Sequence, residues 1–240
     1  MRSFLIVIIL STYSLLNLSC AEEKSSTLFN EVNMTTPENN LVEIFVPKAK
    51  GNNSVSEKIN SKINESIIAS LQIGDPEPVN SKSVEESITN FNNEYIKFKN
   101  EFPESPMVWE AQIDGEVSYQ SESLISIAIT SYLNTGGAHG ILTIRFLNFD
   151  TLTGDIISNN DLFSNFSAFE ELAKNHFNKE IADKKEDYFD PDNFTLPANI
   201  GFDDDGLILF YNTYEIAPYS SGITEIHMAY DEIDALLAYK

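Results

Sequence analysis

The residues best suited to chemistry in this chain lie between Tyr132 and Gly140. This segment contains two adjacent glycines, Gly136 and Gly137, and His139, one of only three histidines. An imidazole titrates near neutral pH and can act as a general acid or base. Glycines allow backbone conformations that expose a neighbouring side chain. The segment therefore predicts either an active-site loop or a turn that presents its neighbours.

A second segment of interest runs from Tyr214 to Gly222. Pro218 cannot donate to a strand ladder, so this piece is predicted to be an irregular connection between strands. Connections carry binding residues more often than strands do. Tyrosine rings here could stack on a sugar or anchor a protein contact, or they could simply pack over a sheet edge. Our candidate binding residues are Tyr132, His139, Tyr214 and Tyr219.

The usual signatures of catalysis and metal binding are missing from the sequence. It contains neither a G-x-S-x-G elbow nor an H-E-x-x-H pair. His139, His176 and His227 are far apart in the chain. The acidic run 203–206 has Ile208 where a calcium loop of the EF-hand type needs glycine, which favours a turn. We expect no metal, no cofactor and no catalytic residue; the alternative is a cell-wall hydrolase with His139 as its acid–base group.

The N-terminal residues predict export and lipidation. An apolar run from Phe4 to Leu16 suits the hydrophobic segment of a secretory signal and is short for a membrane span. Cys20, the only cysteine, follows an aliphatic and a small residue. This resembles the lipobox of bacterial lipoproteins, although Asn17 departs from it. The prediction is a lipid on Cys20 that anchors the protein in the cell envelope, in the outer membrane, facing the periplasm or the surface.

The charge balance limits the possible partners. Fifteen Lys and Arg residues against 37 Asp and Glu residues give a formal net charge of −22. Such a charge repels nucleic acids and anionic lipid headgroups, so no nucleic acid is expected to bind and the membrane is reached through the lipid alone. A basic protein would be attracted to this charge. The alternative is that the acidic surface only maintains solubility.

Apolar periodicity places these segments on secondary structure. Capping boxes at Ser54, Ser83 and Ser167 each precede an apolar stripe at helical spacing and predict three helices. Strands are predicted at 41–47, 108–119, 123–132, 141–149, 207–211 and 224–228, with a short closing helix at 230–239. Because helices and strands do not alternate regularly, the order predicts an α+β fold with a largely antiparallel sheet and helices on one face.

Composition also suggests a division of the chain. Residues 1–19 are assigned to the signal peptide and residues 20–40 to a flexible tether. Prolines near 103–106 then separate an N-terminal α+β subdomain, 41–105, from a C-terminal one, 106–240. Glycines that could supply positive φ or a tight reversal are predicted to be structural turns. They are Gly136, Gly137, Gly206 and Gly222.

Several of these segments resemble a known pair of envelope domains. The resemblance lies in Val46–Gly51 with Glu57–Asn60, in Tyr132–His139 with Asn148–Gly154, and in Gly206–Gly222. The pair occurs in the extracellular part of the RsiV anti-sigma factor, which senses lysozyme, and beside the catalytic domain of the peptidoglycan deacetylase PdaC. It implies a non-catalytic binding role for a lysozyme-like muramidase or a cell-wall glycan. Signalling and deacetylation are not implied. The anti-sigma factor signals through an additional transmembrane helix, and the deacetylase carries its activity on a separate catalytic domain; the resemblance of residues 40–240 extends to neither.

Overall fold

The computed structural model describes residues 27–36, 40–51, 53–74 and 81–239. The predicted signal peptide and the predicted lipidation site at Cys20 lie outside the described residues. Within the described ranges, no helix combines the length and the apolar character needed to cross a membrane.

A five-stranded sheet forms the first half of the fold, with the strands in sequence order. Its members are β1 (Phe29–Thr35), β2 (Val42–Ala49), β3 (Glu110–Gln120), β4 (Leu124–Asn134) and β5 (Ile141–Asp150). β2 and β3 pair in parallel, and the other neighbours are antiparallel. A parallel pair needs a long crossover. Helices α1 (Ser54–Ser70) and α2 (Val84–Glu101) provide it here.

Helices α1 and α2 belong to the core on one face of this sheet. Ile59, Ile63 and Ile67 recur at helical spacing along α1 and are buried in the same cluster as the inward-facing strand residues. α1 is capped by Asn53, whose Oδ1 accepts the N–H of Ser56 at 2.9 Å, and not by the predicted Ser54. The predicted cap of α2 is confirmed, because Ser83 Oγ accepts the N–H of Glu86 at 3.2 Å.

The second half of the fold is a three-stranded antiparallel sheet with two helices. Its elements are α3 (Phe166–Glu180), β6 (Asn199–Phe202), β7 (Gly206–Tyr211), β8 (Thr224–Ala229) and α4 (Tyr230–Ile233). β7 is buried along its whole length. Leu207, Leu209 and Tyr211 belong to the core with α3, while Phe210 faces Phe146 of β5 at a ring distance of 5.9 Å.

The two sheets meet along β4, β5 and β6. The Asn148 side chain donates to the backbone carbonyl of Ile200 at 2.7 Å, and the N–H of Phe202 donates to Ser126 Oγ at 3.3 Å. Gly201 is required at this junction, because a Cβ there would lie 2.1 Å from the Phe146 ring. The predicted α+β fold is confirmed, with one parallel pair in the larger sheet.

The predicted division of the chain needs two corrections. Residues 29–35 of the predicted tether form β1, which pairs along its whole length with β2. The boundary predicted at 105–106 falls inside the first sheet, because β3 pairs with β2 across the helical crossover. One buried core contains residues from 41 to 149, and the other contains residues from 157 to 237 together with Leu124. The division therefore lies just after β5.

Candidate functional site

The hairpin between β4 and β5 forms one side of the site. Gly136 takes a φ of 92°, and its N–H donates to Asn134 Oδ1 at 3.1 Å. A Cβ on Gly136 would lie 2.8 Å from Met107 Sδ, so the turn also packs closely. Gly137, the second predicted turn glycine, has an ordinary negative-φ or extended backbone, and a Cβ there would meet only the His139 carbonyl at 3.6 Å.

The connection between β7 and β8 forms the other side. Asn212 pairs with the backbone of Ile144 in β5: its Oδ1 accepts the N–H at 2.8 Å, and its Nδ2 donates to the carbonyl at 2.9 Å. The Glu215 carboxylate accepts the N–H groups of Asn212 and Ala198, both at 2.9 Å. Tyr214, which lies between Asn212 and Glu215 in the chain, has a φ of 72°, a left-handed conformation that is unusual for a bulky residue.

The other two predicted turn glycines also lie in the second half of the fold. Gly222 takes a φ of 73° at the end of the connection, just before β8. Gly206 begins β7 and does not have positive φ; a Cβ there would lie 2.1 Å from the Met228 carbonyl oxygen. The reversal before it is held by Asp203, whose Oδ1 accepts the N–H groups of Asp205 and Gly206 at 2.9 and 2.8 Å. Close backbone approach, not positive φ, is thus what requires glycine at 206.

All four candidate binding residues converge where the hairpin and the connection meet. The rings of His139 and Tyr219 stack, with centroids 3.7 Å apart and an interplanar angle of 13°. Tyr214 lies 5.8 Å from Tyr219, and the Tyr219 hydroxyl donates to the Gly140 carbonyl at 3.4 Å. The ring of Tyr132 lies against Gly140, where a Cβ would be 2.4 Å from it. We call Tyr132, His139, Tyr214 and Tyr219 the aromatic cluster.

The aromatic cluster is open to solvent. Tyr214 is 53% exposed and Tyr219 is 38% exposed, His139 is exposed and Tyr132 is half-buried. Sequence reasoning missed four exposed apolar residues at this end of the first sheet, just before β3 and at the start of β5, namely Met107, Val108, Ile141 and Leu142. Leu142 pairs with Tyr132 across the hairpin. Nothing in their sequence distinguishes them from core residues, because apolar residues at strand ends follow the same pattern whether or not another layer covers them.

The remaining histidines lie elsewhere in the fold. His176 Nε2 is 3.3 Å from a carboxylate oxygen of Glu232, and His227 Nε2 is 2.8 Å from Glu225. Across the part of the chain that the structure describes, no three His, Cys, Asp or Glu residues are grouped to hold a metal ion. His139 and its neighbours interact through ring stacking and a hydrogen bond to the backbone, and Tyr214 and Tyr219 each keep part of their surface exposed.

The fold and the site together define a two-domain α+β protein with an exposed aromatic cluster at the domain junction. Residues 35–142 match the family model described as Deacetylase PdaC, and residues 155–231 match the one described as Protein of unknown function (DUF3298). The chain therefore carries a PdaC-type domain followed by a DUF3298 domain, which confirms the predicted pair. The pair indicates an envelope-associated protein, and neither match assigns a partner or a reaction.

Crystal structures of DUF3298 family proteins share this fold. A DUF3298 family protein from Pseudomonas aeruginosa PAO1 is 18% identical, with a TM-score of 0.62 over 89% of this chain and 95% of that chain. A DUF3298 family member from Bacteroides fragilis NCTC 9343 is 21% identical, with a TM-score of 0.61 over 89% of this chain and 96% of that chain. At these identities the similarity supports the fold alone. No curated protein matches the chain.

Proposed function

We propose that this protein is a non-catalytic binding module of the bacterial cell envelope and that the aromatic cluster is its recognition surface. The observation that carries the proposal is the convergence of four ring-bearing residues from two distant segments on one exposed surface. Tyrosine is enriched among the residues that dominate binding energy, because its ring adds a large contact area at a small loss of side-chain entropy.

The ligand we favour is a basic protein such as a lysozyme-type muramidase. Two features support this choice. The net charge of −22 attracts a cationic partner and would speed its association. The exposed side chain of Leu142, which pairs with Tyr132 across the hairpin, adds aliphatic surface on the same face of the sheet, which suits a protein contact better than a sugar. Peptidoglycan is the other candidate, because tyrosine rings also stack on sugars.

We also propose that the protein is anchored by a lipid on Cys20 in the outer membrane. The lipobox-like residues before Cys20 support this proposal, as does the pair of envelope-associated domains. Membrane fractionation of the full chain and of Cys20→Ser tests it. The unchanged protein should sediment with outer membranes, and the variant should be released. Equal distribution of the two forms between fractions would refute the anchor.

The binding proposal is tested with residues 21–240 as a purified protein. Affinity for lysozyme is measured by calorimetry, and retention on purified peptidoglycan by sedimentation. Tyr219→Ala should weaken binding by about 30-fold, the loss typical of a central anchor residue. Leu152→Ala is the matched control, because Leu152 is 65% exposed and lies at the opposite end of the β4–β5 pair. Equal effects of the two substitutions would refute the assignment of the surface.

The same samples test the alternative of a hydrolase that uses His139. Soluble sugar and acetate are measured after incubation with peptidoglycan. Because we propose a module without catalysis, neither product should increase over time. Release that disappears in His139→Ala would contradict this and establish the hydrolase instead.

A further inference from the structure

We propose that Asn212 is a positioning residue that assembles the recognition surface from both domains. It holds the DUF3298 segment 212–219 against the outer edge of the PdaC-type sheet. This inference rests on the proposed function, because it concerns the same aromatic cluster. Its consequence is that neither domain alone presents the complete surface, since Tyr132 and His139 belong to one family match and Tyr214 and Tyr219 to the other.

The first step concerns the edge of the first sheet. β5 is the last of its five strands, and alternate residues of an edge strand direct their N–H and carbonyl groups away from the neighbouring strand. At Ile144 both groups are paired with the side-chain amide of Asn212, at 2.8 and 2.9 Å. A single amide thus makes the two hydrogen bonds that another strand would make. Further along, the Asn148 carbonyl accepts the N–H of Ile157 at 2.8 Å.

The second step links Asn212 to the tyrosines. Asn212 and Glu215 form a closed turn, in which the N–H of Glu215 donates to the Asn212 carbonyl at 3.0 Å and the Glu215 carboxylate accepts the N–H of Asn212 at 2.9 Å. Tyr214 is held in its left-handed conformation inside this turn. Such a conformation persists only where the surroundings determine it. A shift of Asn212 would therefore also move Tyr214, which lies in the same turn.

The third step concerns what else joins the segment to the hairpin. His139 stacks on Tyr219, and the Tyr219 hydroxyl donates to the Gly140 carbonyl at 3.4 Å. The hydrogen bond from Tyr219 is single and long, close to the limit for a hydrogen bond. The Asn212 amide, in equally part-buried surroundings, makes two shorter hydrogen bonds with fixed direction. Asn212 is accordingly the contact best able to set the distance between Tyr214 and Tyr132.

The test compares Asn212→Ala with the control Asn193→Ala in residues 21–240. Asn193 is also an asparagine on a loop of the second domain, but its side-chain amide donates to the neighbouring Asp190 and not to any described residue of the first sheet. Two readouts need no ligand. The first is hydrogen exchange of the Ile144 amide. The second is fluorescence emission from the single tryptophan, Trp109, which lies beside the hairpin: its Nε1 is 3.6 Å from where a Cβ on Gly136 would be. A third readout is lysozyme affinity.

Asn212→Ala should accelerate exchange at Ile144 and lower lysozyme affinity, each by about tenfold, because it removes two hydrogen bonds. It should also shift the Trp109 emission, and Asn193→Ala should change none of the three. Unchanged exchange at Ile144 would overturn the proposal whatever the binding result. Faster exchange with wild-type affinity would also overturn it, because the surface would then not depend on Asn212. Failure of the wild-type protein to bind lysozyme or peptidoglycan would instead refute the proposed function, and the exchange and emission results would still decide whether Asn212 positions the segment.

Asn212→Asp gives a signature that a merely structural role would not produce, and it also serves if the alanine variant does not fold. A protonated carboxyl group can accept the Ile144 N–H and donate to the Ile144 carbonyl, as the amide does. The ionised group can only accept, and it stands close to the Glu215 carboxylate, with Arg145 beside Ile144 in β5 as the neighbouring cation. Protection of Ile144 relative to wild type should therefore increase as the pH falls from about 6 to about 3, through the ordinary Asp pKa of about 3.9. Protection that does not vary with pH would contradict the proposed pairing.

Discussion

Gly140→Ala offers a way to disturb the aromatic cluster without removing any of its rings. The added Cβ would lie 2.4 Å from two ring carbons, Cε2 and Cζ, and from the hydroxyl oxygen of Tyr132. Optimal carbon contacts are about 3.5–4.0 Å, so the ring must move by roughly 1 Å. Gly140 does not have positive φ, so the backbone itself tolerates alanine. The substitution therefore displaces Tyr132 selectively.

The expected loss of stability is modest and the expected loss of affinity is larger. Overpacking of a core costs about 1–3 kcal/mol. Tyr132 is half-buried and can turn towards solvent, so the lower end applies, about 1 kcal/mol. A hot-spot side chain contributes about 2 kcal/mol or more to the free energy of binding. Displacing Tyr132 should remove most of this contribution, about 1.4 kcal/mol, which weakens binding about tenfold.

The hairpin itself contains a matched control. In Gly137→Ala the added Cβ would meet only the His139 carbonyl at 3.6 Å, an ordinary contact, and Gly137 does not have positive φ. Urea unfolding and lysozyme calorimetry on both variants separate the two effects. Gly137→Ala should match the wild type in each assay. If Gly140→Ala also binds like the wild type, the assignment of Tyr132 to the recognition surface is refuted.

Three further predictions concern backbone strain and charge. Gly154→Ala should reduce the free energy of unfolding in urea by about 2–4 kcal/mol, because Gly154 has a φ of 70° and a Cβ would lie 2.6 Å from the Val55 carbonyl oxygen. Wild-type stability of this variant would contradict the packing of this turn on α1. Tyr214→Gly should leave stability unchanged or raise it by about 1 kcal/mol, because glycine relieves the left-handed strain, while binding falls; a loss of stability in thermal melts would show that no strain exists there. The Lys58 ammonium hydrogen-bonds to Asp155 at 2.7 Å and, with Thr153, holds the pKa of that carboxyl below its ordinary value. The stabilisation is thus present above the ordinary Asp pKa and lost as the pH falls through the lowered one. Lys58→Met should raise the pKa of Asp155 in a carbon-13 NMR titration, and an unchanged pKa would refute the pairing.

Helix positions could be predicted because they depend on local features. The apolar stripe of α1 follows from residue spacing, and its buried face is the predicted one. The caps show where local rules leave a choice. α1 and α3 begin after Asn53 and Asn165, whereas the sequence also offers Ser54 and Ser167 within two residues. Asparagine and serine cap about equally well, so the arrangement of the preceding chain decides between them.

The strand at residues 29–35 could not be predicted with the same ease. β1 is mostly polar and has little alternation, because it is the edge of its sheet. It is held by backbone pairing with β2, to which side-chain type contributes little. The boundary just after β5 was missed for a related reason. A parallel pairing between β2 and β3 joins residues separated by two helices, and no local pattern records which distant strands become neighbours.

The amino-acid sequence by itself determined the acidic charge, the helices, most of the strands and the paired domains. It also indicated the four ring-bearing residues, because they stand in connections next to glycine and proline. Only the tertiary structure decided that they form one surface. Their meeting depends on the Asn212 pairing with Ile144, which joins residues 68 positions apart. Hydrogen bonds and ring contacts at such separations depend on how the two sheets pack, and local propensity carries no information about that packing.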